Sequence, residues 1–251
     1  MSGWFRYFCL KVSSTLELDA TKNYLGFFVW VVEPALLLLV FYLVFGVFLA
    51  RGGEGFVQFL LVGIVSWLWV ASSVGRAMNS LMSARQLICQ VYVPKIIFPL
   101  VELAVCLVKQ LIVFALLFVL LLFIIGAQWS WLFFPLVCIV QLLLIAGVSL
   151  WVAAIVPFIP DLRVFIPPGL QMLMFCSGVF YSVDFMPESV REYFLLNPVA
   201  NLLHQYRTVL IEGSAPDFMS LLYISIFSLS LIISAVFIFK RYDRHYPRVV
   251  Y

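Results

Sequence analysis

Charge is scarce in this sequence. Asp, Glu, Lys and Arg together make 11% of its 251 residues, whereas 65% are hydrophobic. A soluble core of that size cannot hide so much apolar side chain, so a water-soluble globule is excluded and lipid is the expected solvent. Histidine is nearly absent: His204 and His245 are expected on opposite sides of the membrane, which excludes a two-histidine metal centre. The five cysteines, Cys9, Cys89, Cys106, Cys138 and Cys176, form no CxxC pair. Neither a disulfide framework nor a thiolate zinc site is expected, and the thiols read as small hydrophobes. No Gly-Lys dipeptide occurs anywhere, so the phosphate-cradling G-x-x-x-x-G-K-[ST] loop is missing, as are GxSxG, HExxH and GxGxxG. Transport against a gradient would therefore need another chain to hydrolyse ATP, or an ion gradient.

What the chain does have is long apolar runs. A span needs about 20 mostly apolar residues, and six stretches qualify: Leu25 to Ala50, Phe56 to Gly75, Ile96 to Gly126, Leu132 to Val156, Val164 to Val183 and Phe218 to Phe239. The first is too long for a signal-peptide core and reads as a retained span. With both termini inside, the cytoplasmic segments hold eleven basic residues: Arg6, Lys11, Lys22, Arg76, Arg85, Lys95, Arg163, Lys240, Arg241, Arg244 and Arg248. The outer loops hold three, Arg51, Arg191 and Arg207. Basic residues are retained on the cytoplasmic side, which favours this orientation. The net charge of +3 then reports topology rather than nucleic-acid binding. The expected fold is an all-α integral membrane protein with six transmembrane helices, N-in and C-in. No internal repeat is evident, and residues 1–251 read as a single domain.

Three segments outside the spans carry pattern. Over residues 1–24, Phe5, Phe8, Cys9, Val12 and Leu16 form one apolar stripe, which predicts an amphipathic helix in the membrane interface. Between the second and third spans, "GRAMNSLMSARQLICQVYVPK" (residues 75–95) carries Arg76, Arg85 and Lys95 and no acid, and Pro94 closes it. The stretch predicts a short helix parallel to the membrane, either a solvated connector or a docking helix for a soluble engine. Residues 184–213 predict two short outer helices before the last span, the second capped by Asn197 with Pro198 at its first position. On that helix Val199, Leu202, Leu203, Tyr206, Val209 and Leu210 share a face opposite Asn201, Gln205 and Thr208. The pair is expected to lie on or dip into the outer leaflet, as a surface cap or the rim of an exit.

Ionisable side chains within spans are costly and point to function or to a partner. Glu33, Glu102 and Lys109 qualify. Glu102 and Lys109 are seven residues apart, on one helical face and separated by about 10 Å along the axis; a structural partner or snorkelling is the plainer account of both. Glu33 precedes Pro34, which removes a backbone donor and opposes the carbonyl of Trp30. An acid and a loosened backbone at that depth need protein or a wet cavity around them. Aromatic residues inside spans, including Trp30, Tyr42, Trp67, Trp69, Phe175, Phe180 and Tyr181, either pack against helices and lipid or line a conduit for sugar rings. Gln58, Gln141, Gln171 and Ser177 are candidate polar partners. The prolines from Pro157 to Pro168 predict a rigid turn between spans four and five, or a hinge in span five.

Together these residues resemble the membrane subunit of ABC-2 type exporters, in particular the permeases for O-antigen, teichoic acid or capsular polysaccharide. The likeness covers most of the chain. It is carried by "YLGFFVWVVEPALLLLVFYLVFG", "FLLVGIVSW", "LICQVYVPK", the turn from Pro160 to Arg163, and "MPESVREYFLLNPVANLLHQYRTVLIEG". It implies a multi-pass protein of the bacterial inner membrane, paired with itself as a homodimer and with two copies of a separate P-loop ATPase that bind ATP and Mg. This chain would hold no cofactor and catalyse nothing itself. The cargo implied is a lipid-linked polysaccharide.

The resemblance makes residues 79–90 a coupling helix, with Ser80, Arg85, Gln86 and Leu87 as candidate ATPase contacts. Trp30, Glu33, Pro34, Tyr42, Gln171, Phe175 and Tyr181 become candidates for the substrate path, and Glu188, Arg191, Asn197, Pro198 and Arg207 for the exit rim. Gln90 stands where a basic residue is more usual, and "DATKN" replaces a more basic stretch before Leu25. Two rivals remain: an ion-coupled carrier using Glu33, Glu102 and Lys109, and an intramembrane lipid-modifying enzyme using Asp184, Glu188 or His204.

Overall fold

The computed structural model describes residues 3–21, 29–44, 55–91, 93–182 and 187–246. Its elements are α1 (Gly3–Thr21), α2 (Val29–Phe41), α3 (Phe56–Ser83), α4 (Arg85–Gln90), α5 (Ile97–Ile124), a 3-10 turn (Trp129–Phe133), α6 (Phe134–Ile155), α7 (Leu162–Cys176), α8 (Glu188–Leu195), α9 (Pro198–Leu210) and α10 (Phe218–Tyr242). No strand occurs among the described residues.

Four helical segments are long and apolar enough to cross a membrane: Phe56–Ser83, Ile97–Ile124, Trp129–Ile155 and Phe218–Tyr242. These match four of the six expected spans. Of the other two, the expected first span extends beyond the described residues, within which Ala35–Val44 is an apolar helix, and Leu162–Cys176 is an apolar helix of under 18 residues. At 15 residues α7 is about 22 Å long, less than a bilayer core of about 30 Å.

Helix α3 is the hub, touching α2, α5, α6, α7 and α9. Its inner surface is almost wholly buried from Leu60 to Leu81. Lipid tails are as apolar as these side chains, so shape and interhelical polar bonds decide the packing. Gln110 of α5 donates Nε2 to the Val65 carbonyl at 3.2 Å, and Gln141 of α6 donates to the Ser66 carbonyl at 2.8 Å. On the far side of α6 a Cβ at Gly147 would lie 3.0 Å from Leu231 Cβ and from the Ser228 carbonyl, so the absent side chain is what lets α10 approach. Trp69, Phe114, Phe134 and Tyr206 form a ring cluster that joins α3, α5, α6 and α9, with Phe114 edge-on to Trp69 and Phe134, and Tyr206 tilted against Phe134. Trp67 and Trp69 are core side chains, 3% and 2% exposed, which settles these two in favour of packing.

Two expectations change. Residues 79–90 are not one helix: α3 runs through to Ser83 because Ala77, Met78 and Leu81 keep its inner face buried beyond Gly75. The chain turns at Ala84, and α4 holds only Arg85–Gln90. The Pro-rich turn is also shorter than expected. It ends at Asp161, and Pro167 and Pro168 lie inside α7. Those prolines leave the carbonyls of Arg163 and Val164 without their usual helical donors, yet the helix continues.

Candidate functional site

A cavity of about 430 Å³ opens between α2, α3 and α5, lined by Glu33, Val65, Leu68, Ala71, Ser72, Arg76, Cys106, Lys109, Gln110 and Val113. Glu33 is exposed and makes no ion pair or hydrogen bond among the described residues. Pro34 lies within α2, which continues through it. Glu33 thus lines a cavity, and Lys109 lines the same one.

Beside it four charges form a network. Glu102 Oε2 accepts from Arg76 Nε and Nη2, both at 2.7 Å. Arg76 Nη1 lies 2.9 Å from Asp19 Oδ2, and Lys109 Nζ donates to that same oxygen at 2.6 Å. Glu102 and Lys109 thus pair through other helices, not with each other. Asp19 is the member that sequence reasoning missed. It follows Phe8, Val12 and Leu16 on the half-buried side of α1, three residues after Leu16, and that spacing was the available signal. Burial pushes its carboxyl pKa up, but the Lys109 bond and the Arg76 and Lys109 charges outweigh this and hold it below its ordinary value. Of the α1 stripe, Phe8, Val12 and Leu16 are half-buried, while Phe5 and Cys9 are exposed.

Phe41 of α2 meets Phe180, in the segment after α7, with centroids 4.0 Å apart, and Phe180 meets Phe175 at 5.4 Å. The path candidates Tyr42, Gln171, Phe175 and Tyr181 are all exposed, and Tyr181 donates its hydroxyl to the Phe175 carbonyl at 2.8 Å. The Trp30 side chain falls outside the described residues.

The opposite end of α3 holds a different device. Helix α9 is capped as expected, with the Asn197 side chain accepting from Val199 N and Pro198 in the first turn. Its polar face is nevertheless buried: Asn201 donates to the Leu195 carbonyl, Gln205 donates to Asn201, and Asp217 N donates to Gln205. Arg207 is not at a rim. It is 4% exposed, donates Nη1 and Nη2 to the carbonyls of Gly178 and Val179, both at 2.9 Å, and lies 3.4 Å above the Phe59 ring. Those carbonyls are open because the chain leaves helical geometry after α7, where Gly178 takes a positive φ of 70°. Arg191 is half-buried, and the Glu188 side chain and Asp184 lie outside the described residues.

Near α4, Arg85 and Gln86 are exposed and Leu87 is half-buried, whereas Ser80 is buried within α3 and donates to the Ala77 carbonyl. Lys95, 3% exposed on its side chain, pairs with Asp243 at 3.7 Å, and Tyr246 donates to the Ala154 carbonyl at 3.0 Å. These bonds tie the loop after α4 to the end of α10 and to α6. Cys9, Cys106, Cys138 and Cys176 are free, and no cluster of metal-ligating side chains occurs among the described residues.

Residues 18–211 match the ABC-2 type transporter family. The chain belongs to that family. This ABC-2 type chain is 25% identical over 232 residues to an O-antigen export system permease protein RfbA of Klebsiella pneumoniae, an alignment covering 88% of this chain and 87% of the relative. A second RfbA from the same organism is 24% identical over 233 residues, with the same coverage. The RfbA of Myxococcus xanthus is 29% identical over 234 residues, covering 91% of this chain and 89% of the relative.

Proposed function

We propose that this ABC-2 type chain is the membrane-spanning subunit of an ATP-driven exporter that moves a lipid-linked, O-antigen-like polysaccharide outward across the bacterial inner membrane. The observation that carries this reading is the likeness to three O-antigen export permeases across nearly the whole length of both chains. In this reading six spans cross the membrane, with both termini inside. Two copies pair so that α2 and α7 of each, bearing Tyr42, Gln171, Phe175 and Tyr181, border a shared conduit. Rings suit the C–H faces of sugars, and Gln171 suits their hydroxyls. The cavity at Glu33 is the gateway, and α8 and α9 stand at the far end. Because this sequence has no phosphate loop, two copies of a partner ATPase binding ATP and Mg are assigned to the energy step, and α4 is the contact surface.

An ion-coupled carrier finds less support. Glu102 and Lys109, two of its three relay members, are held in ion pairs with Arg76 and Asp19.

The test is purification from the native membrane in mild detergent, followed by mass spectrometry. A P-loop ATPase recovered at one copy per permease, and lost when residues 85–90 become a Gly/Ser linker in a still-inserted protein, is the expected result. Recovery of the permease alone, under conditions that preserve a known exporter complex, would overturn it.

A further inference from the structure

Arg76 and Lys109, from two different helices, converge on a single oxygen. That oxygen, Asp19 Oδ2, is supplied by α1 and lies 2.9 and 2.6 Å from the two cations. Both cations also line the 430 Å³ cavity, whose volume is on the scale of small-molecule sites. Without Asp19 the two would form an anion site at the cavity wall. Asp19 therefore stands where an external anion would stand.

Charge selects the anion. Arg76 and Lys109 contribute +2, and Asp19, Glu102 and Glu33 contribute −3, a sum of −1. Exchange of Asp19 for a singly charged anion leaves that sum unchanged. A dianion would add a further negative charge to a half-buried cleft, which is costly without a further cation. A phosphodiester carries one charge over two free oxygens, so it can give Arg76 and Lys109 one oxygen each where Asp19 gives both the same one. Next to the cations, the polar wall is rich in acceptors. Gln110 donates one Nε2 hydrogen to the Val65 carbonyl and has Oε1 as an acceptor, the Ser72 hydroxyl donates to the Trp69 carbonyl and keeps its oxygen as an acceptor, and Glu33 is a carboxylate. Hydroxyls on the headgroup match those acceptors. Val65, Leu68 and Val113 provide an apolar wall.

We propose that this cleft binds a singly charged, hydroxyl-bearing phosphodiester headgroup, that Asp19 fills the phosphate position in the state seen here, and that headgroup binding frees α1. The inference rests on the exporter reading for its purpose, while its test needs neither export nor an ATPase.

The probe is phosphatidylglycerol, titrated against the full chain in neutral detergent, with the thermal unfolding midpoint read from tryptophan fluorescence. Asp19→Asn removes the competing charge at constant shape and is expected to tighten phosphatidylglycerol binding about tenfold, the effect of losing one charged competitor worth about 1.4 kcal/mol. Adding Lys109→Gln to Asp19→Asn should abolish that gain, and adding Lys109→Arg instead should keep it. Phosphatidylcholine, which has the phosphodiester but no hydroxyl donor, should bind every variant more weakly than phosphatidylglycerol does. Competition by millimolar inorganic phosphate would support recognition of phosphate from a soluble source, and binding by the lipid alone would support recognition of the lipid-borne headgroup. An Asp19→Asn protein of unchanged helix content that binds phosphatidylglycerol no more tightly than the parent overturns the proposal, as does a gain that survives Lys109→Gln. Failure here leaves the exporter reading standing, and loss of the ATPase partner leaves this result standing.

Discussion

Asp19 and Lys109 meet at 2.6 Å although 90 positions separate them in the chain. The bond fastens α1 to α5, and through Arg76 to α3 and Glu102. Each of these charges would be costly alone at such depth; together they offset one another.

This bond gives the protein an acid limit. The Asp19 pKa is lowered in the folded state from 3.8, so its contribution to stability is fully present above that ordinary value and is lost as pH falls through the depressed one. In detergent, the thermal midpoint of the parent should fall across that acid window, and Asp19→Asn should flatten this part of the curve. The side chains in the network retain 18% to 30% exposure, so the variant should cost only ~1 kcal/mol near neutral pH. An unchanged acid limb in Asp19→Asn would remove Asp19 from the account.

Arg207 should matter far more to stability than an arginine on a rim. Arg207→Met strands the carbonyls of Gly178 and Val179, two buried acceptors, and should cost ~3 kcal/mol. Arg207→Lys keeps the charge but loses the two-pronged donation and the flat contact with Phe59, for a loss of ~1–2 kcal/mol. Gly63→Ala tests the same joint from α3, because its Cβ would sit 2.7 Å from Arg207 Nη2 and 3.1 Å from the Val179 carbonyl. Overpacking there should cost ~1–3 kcal/mol. Denaturation midpoints that leave all three variants at parental stability would show that the joint does not form.

Glu33 should separate function from stability. It is exposed to the cavity and has no bonded partner among the described residues, so Glu33→Gln should change the thermal midpoint by well under ~1 kcal/mol equivalent. On the exporter reading, surface glycan in a strain relying on this chain should nevertheless drop several-fold. Normal export at normal expression would assign the gateway to shape alone.

Much of this architecture was legible because lipid imposes it. Runs of apolar residues gave the four long helices, and Asn197-Pro198 marked the start of α9, because cap chemistry is local. Glu33 pointed to a cavity for the same reason that any acid at depth does. The charge network was not legible, because its pairs join residues 26 and 90 positions apart. Arg76 read as a connector charge, since the apolar run stops at Gly75 while the helix does not. Arg207 read as an outer charge, since its partners are backbone carbonyls exposed only by the break at Gly178. No side-chain pattern records an open carbonyl.

The division of residues 79–90 between two helices makes the last prediction a contrast. Arg85 and Gln86 lie on α4 with exposed side chains, while Ser80 is buried in α3 with its hydroxyl bonded to its own helix. On the exporter reading, Arg85→Glu, a charge reversal, and Gln86→Glu, an added negative charge, should therefore reduce recovery of the partner ATPase about tenfold or more, with little change in the permease's own unfolding midpoint. Ser80→Ala should do the opposite: full ATPase recovery, and a stability change within ~1 kcal/mol. Equal loss of the partner in all three would mean that the whole of residues 79–90 touches the ATPase and that the end of α3 is exposed in the assembled transporter.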